Sequence, residues 1–179
     1  WDIRAFPPFM PAVPGFSSAH ELNVRTYVHY NGVPGVWFFS LDCNSPSAVI
    51  GARTFYHLPY YNADIELQQS GDRIDYALMR IDDPPAGFRG SWSIGETVPF
   101  THPESRDFFL TERYCLYSER DGDLYRARIF HQPWSLQKAT MHSYDSTMIE
   151  ALGVQAFQDE PILHYAEAID VDVWGIRKL

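Results

Sequence analysis

The sequence contains very little lysine and very little cysteine. Among the 14 basic residues of this 179-residue chain, only Lys138 and Lys178 are lysines, so a mechanism that needs a buried amine has just these candidates. The cysteines, Cys43 and Cys115, are too few for a disulfide scaffold or a cysteine-based zinc site. Both lie in or beside apolar strand-like runs, which is typical of core thiols, although a single bridge between them stays open.

Motifs of several known chemistries are missing as well. The seven histidines form neither H-x-H nor H-E-x-x-H, so we expect no metal and no cofactor. There is no Gly-rich phosphate loop and no G-x-S-x-G elbow, so classical nucleotide-binding and serine-hydrolase interpretations have no support. No run approaches the ~20 apolar residues of a membrane span and no signal peptide is recognisable, so a cytoplasmic location is expected.

The charge and composition indicate an acidic globular protein. The formal net charge is -9 and the pI about 5.1. Such a chain repels nucleic acid backbones and anionic lipid, so we expect neither nucleic acid nor membrane as a partner. Hydrophobic residues make up 45% of the chain, which predicts a packed core. The length fits one domain, residues 1–179, and its abrupt, proline-rich start leads us to expect that a preceding N-terminal segment is missing.

Turn signals between alternating polar and apolar segments predict a series of β-hairpins. The signals are, in chain order, Asn31-Gly32, Ser70-Gly71-Asp72 and Asp121-Gly122. Ser45 and Pro46 are typical of a helix start, and Pro59 ends the helical pattern that follows. The remaining predicted elements include short helices within 104–113 and 146–153 and a closing strand within 162–176. The chain is therefore predicted to be α+β, a mostly antiparallel sheet curled into a barrel or sandwich with two or three short helices.

One face of the first predicted strand carries polar side chains. Under period-two alternation that face holds Glu21, Asn23, Arg25 and Tyr27. If it points into the curled sheet, it brings a carboxylate, an amide, a guanidinium and a phenol to one cavity. Burying a carboxylate and an arginine costs several kcal/mol unless they pair or meet a ligand. The alternative is a structural ion pair between Glu21 and Arg25, or a face that meets solvent.

Two later stretches hold further polar candidates. Glu112 and Arg113 are neighbours at the end of a predicted short helix and the start of the next strand. In a strand they point to opposite faces, so at most one of them lines a cavity. The other is expected to face solvent. Trp134 follows Pro133 at a predicted bend, where a tryptophan is more typical of a core anchor than of a ligand platform.

Three segments together resemble the YqjF-like family of conserved bacterial proteins of unknown function. The segments are "ELNVRTYVHYNGVPGVWFFSLD", "ARTFYHLPYYNA" and "FLTERYCLY", and the resemblance runs over nearly the whole chain. Members of that family carry an additional N-terminal segment with the first strands, which agrees with the abrupt start at Trp1. A strand edge left by such a missing segment favours pairing with another copy, so a homodimer is an expectation.

The family is in turn similar to acetoacetate decarboxylase over residues 18–67. That enzyme has a catalytic-site glutamate before an Asn-Gly turn, and Glu21 precedes the first turn signal here at the matching separation. The enzyme's Pro-Lys-Lys, which carries the Schiff-base lysine and its neighbour, becomes Pro59-Tyr60-Tyr61. The resemblance implies a curved β-barrel around a central cavity. Because a phenol cannot form an imine with a ketone, the lysine chemistry is not implied.

The resemblance also implies a set of site residues around a small-molecule ligand. Glu21 is the predicted acid/base or ligand anchor, and Tyr60 is its predicted hydroxyl partner in catalysis. The predicted ligand-binding residues are Arg25, Arg53, His57 and Tyr61. The arginines can receive a carboxylate through two hydrogen bonds, and His57 can assist proton transfer or cap the helix instead. Lys138 lacks a lysine partner and is expected at the surface.

Three functions stay open on the sequence alone. The first is a lysine-independent lyase or isomerase acting on a small oxo- or hydroxy-acid, with Glu21 beside Tyr60 or Tyr61 and a raised Glu21 pKa. The second is a non-catalytic small-molecule binding module, with Glu21 consumed in an ion pair. The third is an interaction domain with a filled barrel, in which the two tyrosines pack against residues 37–39.

Overall fold

Strands dominate the computed structural model, which describes residues 2–3, 19–99, 102–155 and 160–179. The elements are β1 (Asp2–Ile3), β2 (Ala19–Tyr30), β3 (Val33–Cys43), α1 (Pro46–Phe55), β4 (Tyr60–Ser70), β5 (Arg73–Arg80), β6 (Gly87–Thr97), α2 (Arg106–Thr111), β7 (Cys115–Arg120), β8 (Asp123–His131), β9 (Gln137–Ser146), a 3₁₀ helix (Glu150–Leu152), β10 (His164–Tyr165), β11 (Val171–Val173) and β12 (Arg177–Lys178). Most of the proline-rich opening, residues 4–18, lies outside the described residues, so its predicted irregular structure stays a prediction.

The three predicted hairpin turns are confirmed. Asn31 and Gly32 have φ angles of 49° and 78°, the pair of left-handed conformations that a tight two-residue turn requires. Asp121 and Gly122 repeat this arrangement with φ angles of 57° and 82°. The antiparallel pairs β2–β3, β4–β5 and β7–β8 follow from these turns. Helix α1 also begins as predicted, with Pro46 in its first turn and Ser45 at the N-cap position, and buries Val49.

Strand β3 is the branch point of the sheet. On one edge β2 pairs with it along its whole length. On the other edge β4 pairs with residues 41–43 and β7 with residues 36–37, both in parallel. We call the β3 segment between these pairings, residues 38–40, the sheet fork. One branch continues as β4-β5-β6-β9-β10 and the other as β7-β8-β11.

The predicted fold class is confirmed as a curved, mostly antiparallel sheet with few helices. Among the described strands the sheet is not closed into a barrel, and the pairings of β3 with β4 and β7 are parallel. A parallel neighbour needs a crossover connection, and α1 forms that crossover between β3 and β4.

The C-terminal region differs from the prediction in two places. The helix predicted within 146–153 is only a 3₁₀ turn, which stops at Gly153 in the left-handed conformation with φ 73°. The closing strand predicted within 162–176 is divided into β10 and β11. The reason is topological, because β10 pairs with β9 at the end of one branch and β11 pairs with β8 in the other.

Apolar side chains from both branches pack around β3. The buried clusters are Val36, Leu41, Leu58, Leu116 and Ala127; Ala63, Tyr76, Leu78, Ala86 and Met148; and Ala19, Cys43 and Val49. Cys43 and Cys115 are both buried free thiols, so the expectation of core thiols is confirmed. No helix in the described part of the chain has the length and hydropathy to cross a membrane.

Candidate functional site

Glu21 and Tyr60 lie together on one face of the sheet beside β3. Glu21 is opposite Cys43, and Tyr60 is opposite Leu41. Because the two β3 residues are two positions apart, their partners share a face. The Tyr60 hydroxyl lies near enough to the Glu21 carboxylate for each group to influence the pKa of the other. Asn23 Nδ2 donates to Glu21 Oε1 over 3.2 Å. The sequence-predicted neighbourhood of Glu21 and Tyr60 is therefore present.

Burial shapes the protonation of this pair. Glu21 is 5% exposed. Its burial raises the pKa of the carboxyl, while the hydrogen bonds from Tyr60 and Asn23 act to lower it. Burial also raises the pKa of Tyr60, and the nearby Glu21 charge raises it further. The phenol therefore stays protonated as a hydrogen-bond donor, and the carboxyl holds its proton to a higher pH than an exposed glutamate.

The raised Glu21 pKa predicts how stability depends on pH. The folded protein holds this proton more tightly than the unfolded chain, so the contribution is complete below the ordinary pKa of 4.5 and is lost as pH rises through the folded-state value. Relative to Glu21→Gln, the wild-type free energy of unfolding should fall above pH 4.5, by at most about 1.4 kcal/mol per pH unit. Urea denaturation across this range measures the difference. The exposed Glu66→Gln is the control, and an equal pH slope for both variants would contradict the assignment.

Arg25 lies four residues after Glu21 on β2. It lines a cleft between β2 and the strands β6 and β9. We call it the seam cleft; its volume is about 410 Å³. Its lining residues are Leu22, Asn23, Val24, Arg25, Phe88, Tyr144, Ser146, Met148 and Ile149. Arg25 is exposed, and among the described residues no carboxylate pairs with it. Asn23 both lines the seam cleft and hydrogen-bonds Glu21, so it connects the two.

Arg113 is a further cation near Arg25. Its guanidinium lies 5.4 Å from the Tyr27 ring centroid, and that of Arg25 lies 5.9 Å from the same centroid. Burial lowers the Arg113 pKa, and the neighbouring Arg25 charge also acts to lower it. The sequence left Arg113 open between a cavity role and a solvent role. Arg113 packs against Phe109, with its Cζ 4.2 Å from the ring centroid, and its side chain is half-buried. This packing holds the Arg113 charge near Arg25.

Arg53 and His57 do not join Glu21. Arg53 donates from Nε to the Tyr60 carbonyl over 2.7 Å and from Nη2 to Asp82 Oδ2 over 3.0 Å, so its guanidinium ties α1 to β4 and to the loop after β5. His57 follows the helix, with its ring centroid 4.6 Å from that of Tyr125. Both residues line a second cleft, at the sheet fork, with a volume of about 680 Å³. We call it the fork cleft.

Tyr61 points away from Tyr60, as neighbouring residues of a strand do. Its ring lies under the Arg80 guanidinium, 4.0 Å from centroid to Cζ. Arg80 donates from Nε and Nη2 to the two oxygens of Asp42, at 2.5 and 2.9 Å, and both side chains are 0% exposed. This buried pair was not predicted from the sequence. The signal was present, because Arg80 continues the alternating positions of Ile74, Tyr76 and Leu78 on the buried face of β5.

Glu112 forms another buried carboxylate cluster, at the end of α2. It accepts from the Tyr114 hydroxyl at 2.5 Å and from the Trp134 backbone N–H at 3.3 Å. Burial and the hydrogen bond to Glu112 raise the pKa of Tyr114 to about 12. The His131 ring stacks on Tyr114 with centroids 4.9 Å apart. These contacts fasten α2 to the loop between β8 and β9, which is a structural role.

Both lysines lie on the surface. Lys138 is 63% exposed and pairs with Glu96 at 2.5 Å, so its predicted surface position is confirmed. Lys178 is 60% exposed and pairs with Asp123 at 2.6 Å. Within the described ranges, no three His, Cys, Asp or Glu side chains gather as a metal-binding group.

Comparisons with known proteins agree with this architecture. The profile of DUF2071, described as an uncharacterized conserved protein, matches residues 3–170. The uncharacterized protein YqjF of Bacillus subtilis (strain 168) is 44% identical over 171 residues, which cover 95% of this chain and 70% of that protein. The predicted resemblance to the YqjF-like family is thus confirmed.

Solved structures of enzymes share the fold. A structure of acetoacetate decarboxylase superimposes with a TM-score of 0.59 at 15% identity, covering 93% of this chain and 70% of that chain. The enduracididine biosynthesis enzyme MppR complexed with pyruvate gives a TM-score of 0.55 at 10% identity, covering 91% of this chain and 64% of that chain. At such identities the likeness concerns the fold alone, and it confirms the predicted decarboxylase-like architecture.

Proposed function

The chain belongs to the DUF2071 family of uncharacterized conserved proteins, and within that family we propose for it a proton-transfer activity on a small oxo- or hydroxy-acid. Glu21 and Tyr60 supply the chemistry, and no Schiff-base lysine takes part. The observation that carries this proposal is the placement of the buried Glu21 carboxyl beside the Tyr60 phenol on one face of the sheet. A carboxyl whose pKa is raised is a stronger base than an ordinary glutamate, which suits acid–base catalysis.

The proposed step removes a proton from the carbon next to the ligand's carbonyl group. Glu21 takes that proton, the electron pair of the broken C–H bond forms a C=C bond to the carbonyl carbon, and the π pair of the C=O bond moves to the oxygen. The Tyr60 O–H turns from Glu21 to this oxygen and donates to the developing negative charge. Because the Tyr60 hydrogen bond lowers the Glu21 pKa, its loss makes Glu21 a stronger base when the ligand is bound. Return of the proton completes an isomerisation or an exchange.

In this proposal, Arg25 at the seam cleft binds the carboxylate of the ligand. Guanidinium groups bind carboxylates through paired hydrogen bonds, and the Arg25 side chain is exposed for this purpose. The nearby Arg113 adds a second positive charge in a protein whose net charge is -9. Asn23 links the seam cleft to Glu21.

Two further observations support the choice of ligand and the lysine-independent chemistry. The lysines of this chain are both exposed and ion-paired, away from Glu21 and Tyr60. The MppR structure that shares this fold holds pyruvate, a small 2-oxo acid.

Exchange of pyruvate methyl protons with D₂O, followed by NMR, tests the proposal without knowledge of the complete reaction. The wild-type chain should accelerate the exchange. Glu21→Gln should lower the rate by about 100-fold or more, because the base is removed while the shape is kept. Arg25→Gln should weaken pyruvate binding by about tenfold and leave the rate at saturation unchanged. Glu66→Gln, an exposed carboxylate on β4, is the matched control and should behave as wild type.

Borohydride treatment in the presence of pyruvate tests the lysine-independent part. Reduction traps an imine as a stable adduct, so no mass increase is expected on either lysine. A trapped adduct would refute the lysine-independent mechanism. Pyruvate and acetoacetate are both tested as substrates. If the wild-type chain exchanges the protons of neither compound faster than buffer does, the catalytic proposal is refuted.

A non-catalytic binding module is the second candidate. The observation that favours it is the near-complete burial of Glu21, which leaves little of the carboxylate to meet a ligand directly. Saturable pyruvate binding by the wild type, weakened by Arg25→Gln but without any exchange of methyl protons, would support this candidate over the enzyme.

A further inference from the structure

The fork cleft is separate from the Glu21–Tyr60 pair and has no part in the proposed reaction. Its lining residues are Trp37, Phe38, Phe39, Arg53, Thr54, His57, Leu58, Pro59, Tyr117, Ser118, Glu119 and Arg120. Val24 is opposite Ser40 whereas Arg25 is opposite Phe38, so Phe39 is the extra residue of a β-bulge. Phe39 is 45% exposed. Bulges of this kind redirect side chains beside functional sites, and here the cleft gains an open aromatic wall.

Two buried polar atoms of the cleft residues lack a hydrogen-bond partner in the described part of the chain. They are the hydroxyl of Ser118, a residue that is 3% exposed, and Nδ1 of His57. Buried polar groups in native proteins are nearly always paired, because an unpaired one loses its hydration without compensation. Both residues line the fork cleft, and because neither atom is exposed, a polar group of a ligand meets it only when the side chain turns toward the cleft.

His57 is also held in a backbone conformation that favours glycine. It follows the last turn of α1 with a φ angle of 54°, the left-handed region in which helices commonly end on glycine. A non-glycine residue is retained there at a cost when its side chain serves a purpose. His57 lines the cleft next to Leu58, and its imidazole contacts the Tyr125 ring.

The rim carries the cations Arg53 and Arg120 and the carboxylate of Glu119. Arg53 is committed to Asp82 and to the Tyr60 carbonyl. Glu119 accepts from the Gly122 N–H over 2.7 Å, which occupies it in the hairpin turn. Arg120 is 54% exposed, and its contact with Asp121 is a long 3.5 Å to a carboxylate that is 89% exposed. A pair so open to water is weak, so the Arg120 guanidinium is available to an anion.

We propose that the fork cleft binds a small planar aromatic carboxylate. The ring packs against Phe39 and Trp37, where aromatic faces offer stacking and edge contacts. A polar substituent on the ring meets Ser118 and His57, and the carboxylate binds Arg120. This site holds a different class of molecule from the oxo-acid of the seam cleft, and it does not depend on the proposed proton transfer.

Titration calorimetry with 4-hydroxybenzoate, which carries a ring, a hydroxyl and a carboxylate, tests the site on the full chain. Saturable binding with one ligand per chain is expected. Ser118→Ala should weaken it by about tenfold through loss of one hydrogen bond. Ser40→Ala is the matched control. Like Ser118, Ser40 is a buried serine whose hydroxyl has no partner among the described residues, but it lies on β3 and does not line the cleft. It should bind as wild type.

Two more variants address the charge and the strained histidine. Arg120→Gln should weaken the binding of 4-hydroxybenzoate by about tenfold and should leave the binding of neutral 4-hydroxybenzamide unchanged.

His57→Asn should weaken the binding of 4-hydroxybenzoate while the protein stays at least as stable in urea, because asparagine tolerates the left-handed conformation. That combination distinguishes a ligand-binding role from a purely structural one.

The outcomes separate this site from the proposed function. Glu21→Gln should bind 4-hydroxybenzoate as the wild type does, even if it has lost proton exchange on pyruvate. The proposal is overturned if no saturable binding occurs at millimolar ligand, or if Ser118→Ala and Ser40→Ala have equal affinities. It is also overturned if Glu21→Gln abolishes binding, since the ligand would then occupy the other site.

Discussion

Replacing Arg80 with methionine should lower the free energy of unfolding by about 3–5 kcal/mol. The variant leaves Asp42 as a fully buried carboxylate without its bidentate partner. Burying a charge is tolerable only when a counter-charge and hydrogen bonds replace its hydration. Tyr61 also loses the guanidinium that lies 4.0 Å from its ring. Urea denaturation monitored by circular dichroism gives the change directly.

Strand β5 supplies a matched control for this experiment. Arg73, at the start of the same strand, pairs with Asp75 at 3.5 Å while both side chains are about half exposed. Arg73→Met should therefore change stability very little, because water and salt screen such a pair. The double variant Asp42→Leu with Arg80→Met should recover most of the loss, since it removes both buried charges. Equal losses for Arg73→Met and Arg80→Met would contradict the interpretation of the buried pair.

Replacing Gly35 with alanine should cost about 3 kcal/mol, at the upper end of what overpacking usually costs. A Cβ at this position would lie 2.7 Å from the Cys115 carbonyl oxygen and 2.7 Å from Cε2 of the Tyr117 ring. The carbonyl belongs to the backbone of β7, which cannot retreat without disturbing the Val36–Leu116 pairing. The missing side chain is what lets β7 lie close to β3 and form one side of the sheet fork.

Gly51 in α1 is the control for Gly35. A Cβ added there meets no atom within 4 Å. Gly51→Ala should stabilise the protein by about 0.5–1 kcal/mol, because alanine loses less backbone freedom in a helix than glycine does. Thermal denaturation of the two variants should therefore move the midpoint in opposite directions. A Gly35→Ala midpoint at or above that of the wild type would show that β7 has room to move.

The local parts of the fold were predictable from the sequence. The hairpin turns depend on neighbouring residues such as Asn31 and Gly32, and the strands on alternation over a few positions. The fork was not predictable, because the parallel contact of Val36 with Leu116 joins segments far apart in the chain. Neither segment contains a local sequence pattern that indicates this pairing. The same holds for the division of the closing strand between two partners.

The candidate site divides in a similar way. The neighbourhood of Glu21 and Tyr60 was expected from a family resemblance, since no periodicity connects residues on separate strands. Tyr61 was grouped with Tyr60, although adjacent residues of a strand point to opposite faces, and its ring lies against Arg80. Arg53 was expected to bind a ligand. Its partner Asp82 lies in a proline-rich loop whose position relative to α1 only the tertiary structure determines.

The branching of the sheet at β3 has a consequence for the order of folding. The hairpins close loops of two residues, which is fast, whereas β3 meets β7 only after about 80 intervening residues have been synthesised and ordered. The hairpins β2–β3, β4–β5 and β7–β8 therefore form early. The pairing of β6 with β9 and the junction of the two branches at β3 form late. The fork cleft exists only after that junction is complete. A molecule that occupies it selectively stabilises the fully assembled chain over every partly folded form.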